Sequence, residues 1–128
     1  MIDYIHSQGK AWGRYMRQSP TGYSSRSVMG RIVEEGSVGA AIKQFFQKIP
    51  VTGIPRGVLP FHRAYLRLPE RLREVIFVTY VVGAERDAKA EALGITKSHM
   101  YRLLDQAHYQ IAGGMDVEET RLNGLQVN

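Results

Sequence analysis

The stretch from residue 94 to residue 102 combines a turn former, a helix cap and a run of hydrogen-bonding side chains. Gly94 can take the positive φ that a short turn between two helices requires, and Thr96 can cap a helix that begins at the next residue. Basic and hydroxyl side chains occupy the first turns of that helix, where Lys and Arg can donate to guanine and Ser can bond to base edges. The candidate base-contacting residues are Lys97, Ser98, His99, Tyr101 and Arg102.

The residues around this turn have the spacing of a helix-turn-helix unit. Residues 85–93 indicate a short, alanine-rich helix, in which Ala90 is small enough for the second helix to cross closely. A small core is expected from Leu93, Ile95, Met100, Leu103 and Leu104. Arg86 and Lys89, near the start of the first helix, are placed to meet phosphates. An ordinary solvated helix face is the alternative, and the unit has equal numbers of acids and bases, so we expect weak DNA affinity from this element alone.

Net charge divides the 128-residue chain into unequal halves. Residues 1–64 carry nine basic and three acidic side chains, a net charge of +6, whereas residues 65–128 carry eight basic and nine acidic side chains, a net charge of −1. A basic half favours a polyanionic partner, because neutralising phosphates releases counterions. The alternative is a soluble protein that is merely basic, and charge alone does not separate the two.

Other kinds of chemistry find no support in the residue types. The chain has no cysteine, which excludes disulfides, thiolate zinc sites and thiol nucleophiles. Its four histidines lack metal-ligand spacing and no carboxylate pair is evident, so we expect no metal, no cofactor and no enzyme activity. The longest uncharged apolar stretch, residues 75–84, is about half of a membrane span, and the first residues do not resemble a signal peptide. These features predict a soluble cytoplasmic protein.

Helical periodicity predicts an all-α fold. Apolar residues at helical spacing indicate a first helix within residues 2–16. A short helix closed by Gly36 is expected over residues 27–35, and Ser37 can then cap a helix that runs through Ile49 and buries Ile42, Phe45 and Ile49. Helices are also expected in the second half of the chain, which contains the helix-turn-helix unit.

Prolines and glycines between residues 50 and 60 mark an expected boundary between two lobes. The predicted organisation is a basic helical N-terminal lobe over 1–49, a connection over 50–60, a helix-turn-helix lobe over 61–113 and a flexible tail over 114–128. Within this scheme a helix is expected over 61–68, and Gly113 and Gly114 are expected to end the last helix.

Strand and helix compete in the segment after Pro69. Residues 75–82 are rich in β-branched side chains, which alone would suit a buried strand. Pro69 and Glu70 form a typical helix start, however, and apolar residues follow on one helical face: Leu72, Val75, Ile76, Thr79 and Val82. We therefore expect a helix from this start to Gly83.

Two groups of residues resemble known transcription proteins. Leu68-Pro69-Glu70-Arg71-Leu72-Arg73-Glu74-Val75, a following helix, Gly83 and the stretch from Ala90 to Ile95 resemble region 4 of sigma-70-type factors, which reads promoter DNA. Trp12-Gly13-Arg14-Tyr15, followed by Gly22-Tyr23-Ser24 and Ser27, resembles the signature of the phage late-gene antitermination Q protein family of the short, cysteine-free type. The chain departs from these patterns where Tyr15 replaces a tryptophan, where a serine replaces a proline, and where Lys89 occupies a usually apolar position.

This resemblance implies a transcription antiterminator that binds double-stranded DNA near a late promoter. It implies loading onto promoter-proximally paused host RNA polymerase that retains its sigma factor, followed by readthrough of terminators. It also favours a contact with polymerase, DNA or nascent RNA for five residues of the basic half, which are Arg14, Arg17, Tyr23, Arg26 and Arg31. Two alternatives stay open: a plain helix-turn-helix regulator, either a repressor or a sigma-like factor, and a phage DNA-packaging adaptor. The number of protomers is open as well.

Overall fold

The computed structural model describes residues 2–17, 38–48, 54–82 and 86–126. Every regular element in these ranges is a helix, which confirms the predicted all-α class. In chain order the elements are α1 (Asp3–Arg17), α2 (Val38–Lys48), α3 (Leu59–Leu66), α4 (Glu70–Phe77), a π-helical segment (Val78–Val82), α5 (Arg86–Leu93) and α6 (Lys97–Gln126). None of the helices in the described ranges is both long and apolar enough to cross a bilayer.

The segment after Pro69 is helical, as its start signal predicts. Pro69 is the N-cap of α4, with a φ of −55°, and the charge of Glu70 in the first turn complements the helix dipole. α4 continues directly into the π-helical segment, in which helical hydrogen bonds span one residue more than in an α-helix. Thr79 Oγ1 donates a hydrogen bond of 2.7 Å to the Val75 carbonyl, so its hydroxyl is satisfied within the helix.

α4 and the π-helical segment are buried on more than the single predicted face. Leu72, Val75, Ile76 and Val82 are buried as expected, and Thr79 is half-buried. The additional buried residues are Phe77, Val78, Tyr80 and Val81. They are covered because α4 packs along α6 while the π-helical segment packs against α1. A helix enclosed by neighbours in this way does not need a polar face.

α1 confirms the first predicted helix and approaches the π-helical segment through two glycines. A Cβ atom added at Gly9 would lie 2.7 Å from the Tyr80 ring, and one added at Gly13 would overlap the Tyr80 carbonyl group. Contact this close excludes a side chain at either position. Gly9 weakens the isolated helix by about 1 kcal/mol relative to alanine, and tertiary packing explains why it is tolerated.

Residues before and after the 50–60 connection share one hydrophobic core. Ile5, Trp12 and Met16 of α1 are fully buried in the same cluster as residues of α3, α4 and α6. Trp12 Nε1 also donates a buried hydrogen bond of 3.1 Å to Nδ1 of His62 in α3. The N-terminal helix therefore packs directly on the later elements, while the lobe boundary itself stays a prediction.

α2 confirms the existence of the helix predicted after Ser37, whereas the helix expected over 27–35 lies outside the described residues. Val38 and Ala41 are buried, whereas Ile42 is half-buried instead of buried. The side chain of Phe45 and the whole of Ile49 lie outside the described residues, so the expectation that they are buried stays a prediction.

α3 begins inside the stretch that the sequence assigns to the connection. Its first residue is Leu59, and Pro60 follows in the first turn, so the expected span of 61–68 is corrected to Leu59–Leu66. A proline is tolerated there because the first N–H groups of a helix have no partner within the helix. Pro60, the last proline of the stretch from 50 to 60, thus belongs to the start of a helix and does not interrupt one.

α6 is longer than predicted. It runs for 30 residues, Lys97–Gln126, so the expectation that Gly113 and Gly114 end it is wrong. A Cβ atom added at Gly114 would lie 3.4 Å from the Cβ of Ala64, which shows how closely α6 approaches α3. The two glycines each cost the helix about 1 kcal/mol relative to alanine, yet the helix continues through both. Residues 114–126, predicted to be a flexible tail, are consequently helical.

Candidate nucleic-acid interface

α5 and α6 are joined by a three-residue turn built around Gly94. Gly94 has a φ of +69°, which confirms the predicted left-handed conformation. Its N–H donates to the Glu91 carbonyl at 3.0 Å, and the Ile95 N–H donates to the Ala90 carbonyl at 3.1 Å. This pair of hydrogen bonds is the Schellman arrangement, which closes the end of α5 and redirects the chain.

Thr96 caps α6 as predicted. Its Oγ1 accepts a hydrogen bond of 3.1 Å from the backbone N–H of His99. The Thr96 carbonyl accepts the hydrogen bond of the Met100 N–H at 2.9 Å. The start of α6, and with it the direction of its first side chains, is therefore fixed by the local sequence.

One side of α5 and α6 forms the small core expected between them. Ala90, Leu93, Met100 and Leu104 are buried. Ile95 is half-buried at the corner, and Leu103 is half-buried as well. These residues hold the two helices together on the side that faces the rest of the protein.

Arg71 connects the start of α4 to this turn. Its Nη2 donates a hydrogen bond of 2.7 Å to the carbonyl of Leu93, the last residue of α5. Its Nη1 lies 3.1 Å from a carboxylate oxygen of Glu74. Nothing near Arg71 in the sequence indicates which distant carbonyl it meets, so this contact was not predicted.

The other side of the first turns of α6 faces solvent. Ser98, His99 and Arg102 are exposed. Lys97 is 55% exposed, and its Nζ lies 2.8 Å from Oδ1 of Asp87 in α5. An exposed ion pair contributes only about 0–1 kcal/mol, so a DNA group can replace Asp87 at small cost. Lys97, Ser98, His99 and Arg102 are called the outer face below.

Two further predicted residues of the unit, Lys89 and Tyr101, line a groove instead of the outer face. The groove lies between α1, the π-helical segment, α5 and α6 and has a volume of about 380 Å³. It is lined by His6, Lys10, Arg14, Arg17, Thr79, Tyr80, Lys89, Met100, Tyr101 and Leu104. Four of these residues are Lys or Arg, and none of the described lining residues is acidic. It is called the basic groove below.

Two cations of the basic groove are bound to backbone carbonyls at the end of the π-helical segment. Lys89 Nζ donates to the Thr79 carbonyl at 3.1 Å, and Arg17 Nη1 donates to the Tyr80 carbonyl at 3.0 Å. Cations are favourable there because the carbonyl end of a helix carries partial negative charge. Lys89 is half-buried, and this contact lets its amine reach a polar group.

A chain of hydrogen bonds leads from the protein interior to the groove. The Ile2 N–H donates to Nδ1 of fully buried His108 at 3.3 Å, so the neutral ring carries its proton on Nε2. His108 Nε2 then donates to Tyr80 Oη at 2.7 Å, and Tyr80 Oη donates to His6 Nδ1 at 2.9 Å. All three hydrogen bonds therefore donate in the same direction, and the last acceptor is His6, which lines the groove.

Burial keeps this chain uncharged. It lowers the pKa of His108 to about 4, with a further contribution from nearby His6, and it raises the pKa of Tyr80. Burial also lowers the pKa of His6, and the positive charges of Lys10 and Lys89 lower it further. The groove thus has a positive potential that disfavours a proton on His6.

The structure brings together only part of the predicted set. Arg14 and Arg17 of the basic half lie in the same groove as Lys89 and Tyr101. The side chain of Arg86 and the residues Tyr23, Arg26 and Arg31 lie outside the described part of the chain.

His6, Lys10 and Tyr80 line the groove but are not among the predicted site residues. The repeat of basic residues at positions 6, 10, 14 and 17 is the signal that could have found two of them, because residues three or four apart share a helical face. Tyr80 had no such signal, since its role depends on the approach of α1.

Metal ligands do not cluster in the described ranges, where no group of three His, Asp or Glu residues could hold an ion. Comparison with known proteins found no family model, no curated protein and no solved structure that matches this chain.

Proposed function

We propose that the protein binds double-stranded DNA with the first turns of α6 in the major groove. The observation that carries the proposal is the division of α6 into two sides. Met100 and Leu104 anchor the helix, while the outer face is presented at its N-terminal end. This end of a recognition helix is the part that meets base edges. Lys97 and Arg102 can donate to guanine there, and Ser98 can donate or accept.

The charge around the outer face supports the same proposal. Residues 85–112 carry as many acids as bases, so they supply little phosphate affinity by themselves. The basic groove adds Lys10 and Arg14 of α1 on the adjoining side of α6. This positive potential favours approach of a polyanion to the outer face.

The role proposed for the DNA-bound protein is antitermination at phage late genes. Its support is the resemblance of Trp12-Gly13-Arg14-Tyr15 to the antitermination signature, together with the placement of these residues. Trp12 and Gly13 serve packing, whereas Arg14 is exposed and available to a partner. In this role the protein loads onto paused host RNA polymerase that retains sigma and accompanies it through terminators.

Selection of duplexes from a random library, followed by anisotropy titration of the selected site and a scrambled duplex, tests DNA recognition. Lys97→Ala and Arg102→Ala should each weaken binding to the selected site by about 1–3 kcal/mol without unfolding the protein. Arg56→Ala is the matched control, because Arg56 is exposed and lies on neither surface. Failure to enrich any duplex, or unchanged affinity of both outer-face variants, contradicts the proposal.

Single-round transcription tests antitermination separately. The template carries a late promoter followed by a terminator, and the protein is added to purified bacterial RNA polymerase with sigma. Readthrough should rise with the protein and fall again with Arg14→Glu. A plain regulator would bind the same DNA and leave readthrough unchanged, as would a packaging adaptor, so this result would replace the antitermination role while leaving DNA binding intact.

A further inference from the structure

One face of α1 carries a row of basic side chains. His6, Lys10, Arg14 and Arg17 are spaced four, four and three residues apart, so they lie along a single side of the helix. The glycines of α1 bring an adjacent side of the same helix into contact with Tyr80. The row is thereby held beside the π-helical segment and forms one wall of the basic groove.

The facing wall is apolar and aromatic. It consists of Met100, Leu104 and the half-buried ring of Tyr101, all from α6. The volume of about 380 Å³ lies in the range of small-molecule sites, which combine apolar walls with a few charged groups. A ligand that matches both walls has an anionic part and a flat, largely apolar part.

The charges of the groove are arranged to receive an anion. Arg17 and Lys89 are held by backbone carbonyls, at 3.0 Å and 3.1 Å, while Lys10 and Arg14 are exposed at neighbouring positions of the row. No carboxylate lies among the described residues that line the groove. Burial lowers the pKa of His6, and the positive charges of Lys10 and Lys89 lower it further, while the charge of Asp3 acts in the opposite direction. A phosphate beside Lys10 and Arg14 would relieve the repulsion between the positive charges.

We infer that the basic groove binds a nucleoside phosphate, with the phosphate held by Lys10 and Arg14 and the base against the ring of Tyr101. Flat aromatic bases pack on aromatic and apolar side chains, whereas a bare phosphate would gain nothing from that wall. The same chemistry is offered by a free nucleotide and by an unpaired nucleotide of a nucleic-acid strand. Ser98, His99 and Arg102 do not line the groove, so its occupancy is separable from base reading by the outer face.

Titration of the full-length protein with adenosine 5′-monophosphate tests the inference, with the histidine ring signals followed by NMR. The nucleotide should shift the His6 signals saturably and raise the pKa of His6, because an added anion stabilises the protonated ring. Adenosine alone and inorganic phosphate alone should each bind at least tenfold more weakly. Equal binding of inorganic phosphate and the nucleotide would overturn the assignment of a base site.

Two matched charge variants locate the site. Lys10→Gln combined with Arg14→Gln should weaken binding of the nucleotide at least tenfold, whereas Arg56→Gln combined with Arg67→Gln should change it less than twofold. All four residues are exposed, and each pair removes the same charge. Tyr101→Leu should weaken binding of the nucleotide but not of inorganic phosphate. Equal losses in the two double variants would overturn the site, and thermal melting checks that both remain folded.

Competition distinguishes the two sources of the ligand. If the natural occupant is part of a strand, a short single-stranded oligodeoxythymidine should displace adenosine 5′-monophosphate when its concentration, counted in nucleotide units, is lower than that of the monophosphate. If the natural occupant is a free nucleotide, the oligonucleotide should fail to displace it at such concentrations. Neither result depends on duplex binding, so loss of DNA recognition by the outer face leaves this test intact. Absence of any saturable shift at His6 with either probe overturns the inference.

Discussion

The outer face of α6 and the basic groove are built from similar residue types in opposite ways. The outer face is convex, and Lys97 is paired with the exposed carboxylate of Asp87. The groove is concave, and its cations Arg17 and Lys89 donate hydrogen bonds to carbonyls of the π-helical segment. The first surface can exchange its partner for a DNA group, whereas the second keeps an excess of positive charge around a cavity.

The difference shows that the role of a basic residue depends on the backbone groups that it contacts and not on the number of charges in its region. Lys89 and Lys97 are both lysines of the same helix pair, yet one reaches a carbonyl of the π-helical segment and the other remains at the surface. The approach of α1 through Gly9 and Gly13 creates the groove beside α6, and Lys89 lines this groove.

The largest effect is expected from a charge placed beneath the outer face. Met100→Asp should destabilise the protein by about 4 kcal/mol, because an unpaired carboxylate would enter a site that is 2% exposed. Ser98→Asp adds the same charge two residues earlier on the outer face and should change the free energy of unfolding by less than about 0.5 kcal/mol. Urea denaturation measures both, and equal stability of the two variants would show that the helical phase is wrong.

A methyl group at the contact of α1 should act next most strongly. Gly13→Ala is expected to cost about 2–3 kcal/mol, because its Cβ would overlap the Tyr80 carbonyl and push α1 away from the groove. Gly113→Ala is the matched control: its Cβ meets no atom within 4 Å, and alanine should stabilise α6 by about 0.5–1 kcal/mol. Thermal unfolding compares the pair, and two changes of the same sign contradict the packing described for α1.

Acid should weaken the interior behind the groove. Because the folded state lowers the pKa of His108 to about 4, it binds fewer protons than the unfolded state. The contribution of neutral His108 to the free energy of unfolding is present in full above pH 6.5, declines as the pH falls below that value and is lost at about pH 4. The free energy of unfolding falls by about 2 kcal/mol over this range. Buried His62, whose pKa is also lowered, adds to this loss.

Unfolding free energies measured between pH 7 and pH 4 check this dependence. His108→Gln should reduce the slope, whereas substitution of exposed His99 by Gln should not. A slope that is the same in both variants would assign the acid sensitivity to other groups.

The smallest effect is expected at the turn. Gly94→Ala places a Cβ at a φ of +69°, which should cost about 1 kcal/mol even though no atom crowds the position. The change tilts the outer face without touching the groove, so DNA affinity should fall while nucleotide affinity stays constant. Denaturation and the two titrations measure these quantities, and a parallel fall in both affinities would mean that the two surfaces are not independent.

Local signals were sufficient for part of this architecture. Pro69 with Glu70, and Gly94 with Thr96, predict a helix start and a capped turn because the interactions involved span only a few residues. The burial of Met100 and Leu104 follows from spacing for the same reason. These elements position the outer face, which is why its residues could be selected from the sequence.

Contacts between distant residues account for what was missed. The groove depends on Gly13 meeting the Tyr80 carbonyl, a contact that leaves no trace in the local sequence. Glycine in a sequence suggests that a helix ends, whereas Gly13 permits close packing within α1, and α6 continues through Gly113 and Gly114. Tyr80 joins the groove only because α1 lies against it.

The most direct test of the account compares two double variants on two duplexes. Affinities of Lys97→Ala with Arg102→Ala, and of Lys10→Gln with Arg14→Gln, are measured for the selected site and for a scrambled duplex at several salt concentrations. We predict that the first variant loses preference for the selected site. The second should keep the wild-type ratio of the two affinities, with any loss equal on both duplexes. A second variant that loses preference while the first retains it would contradict base reading by the outer face.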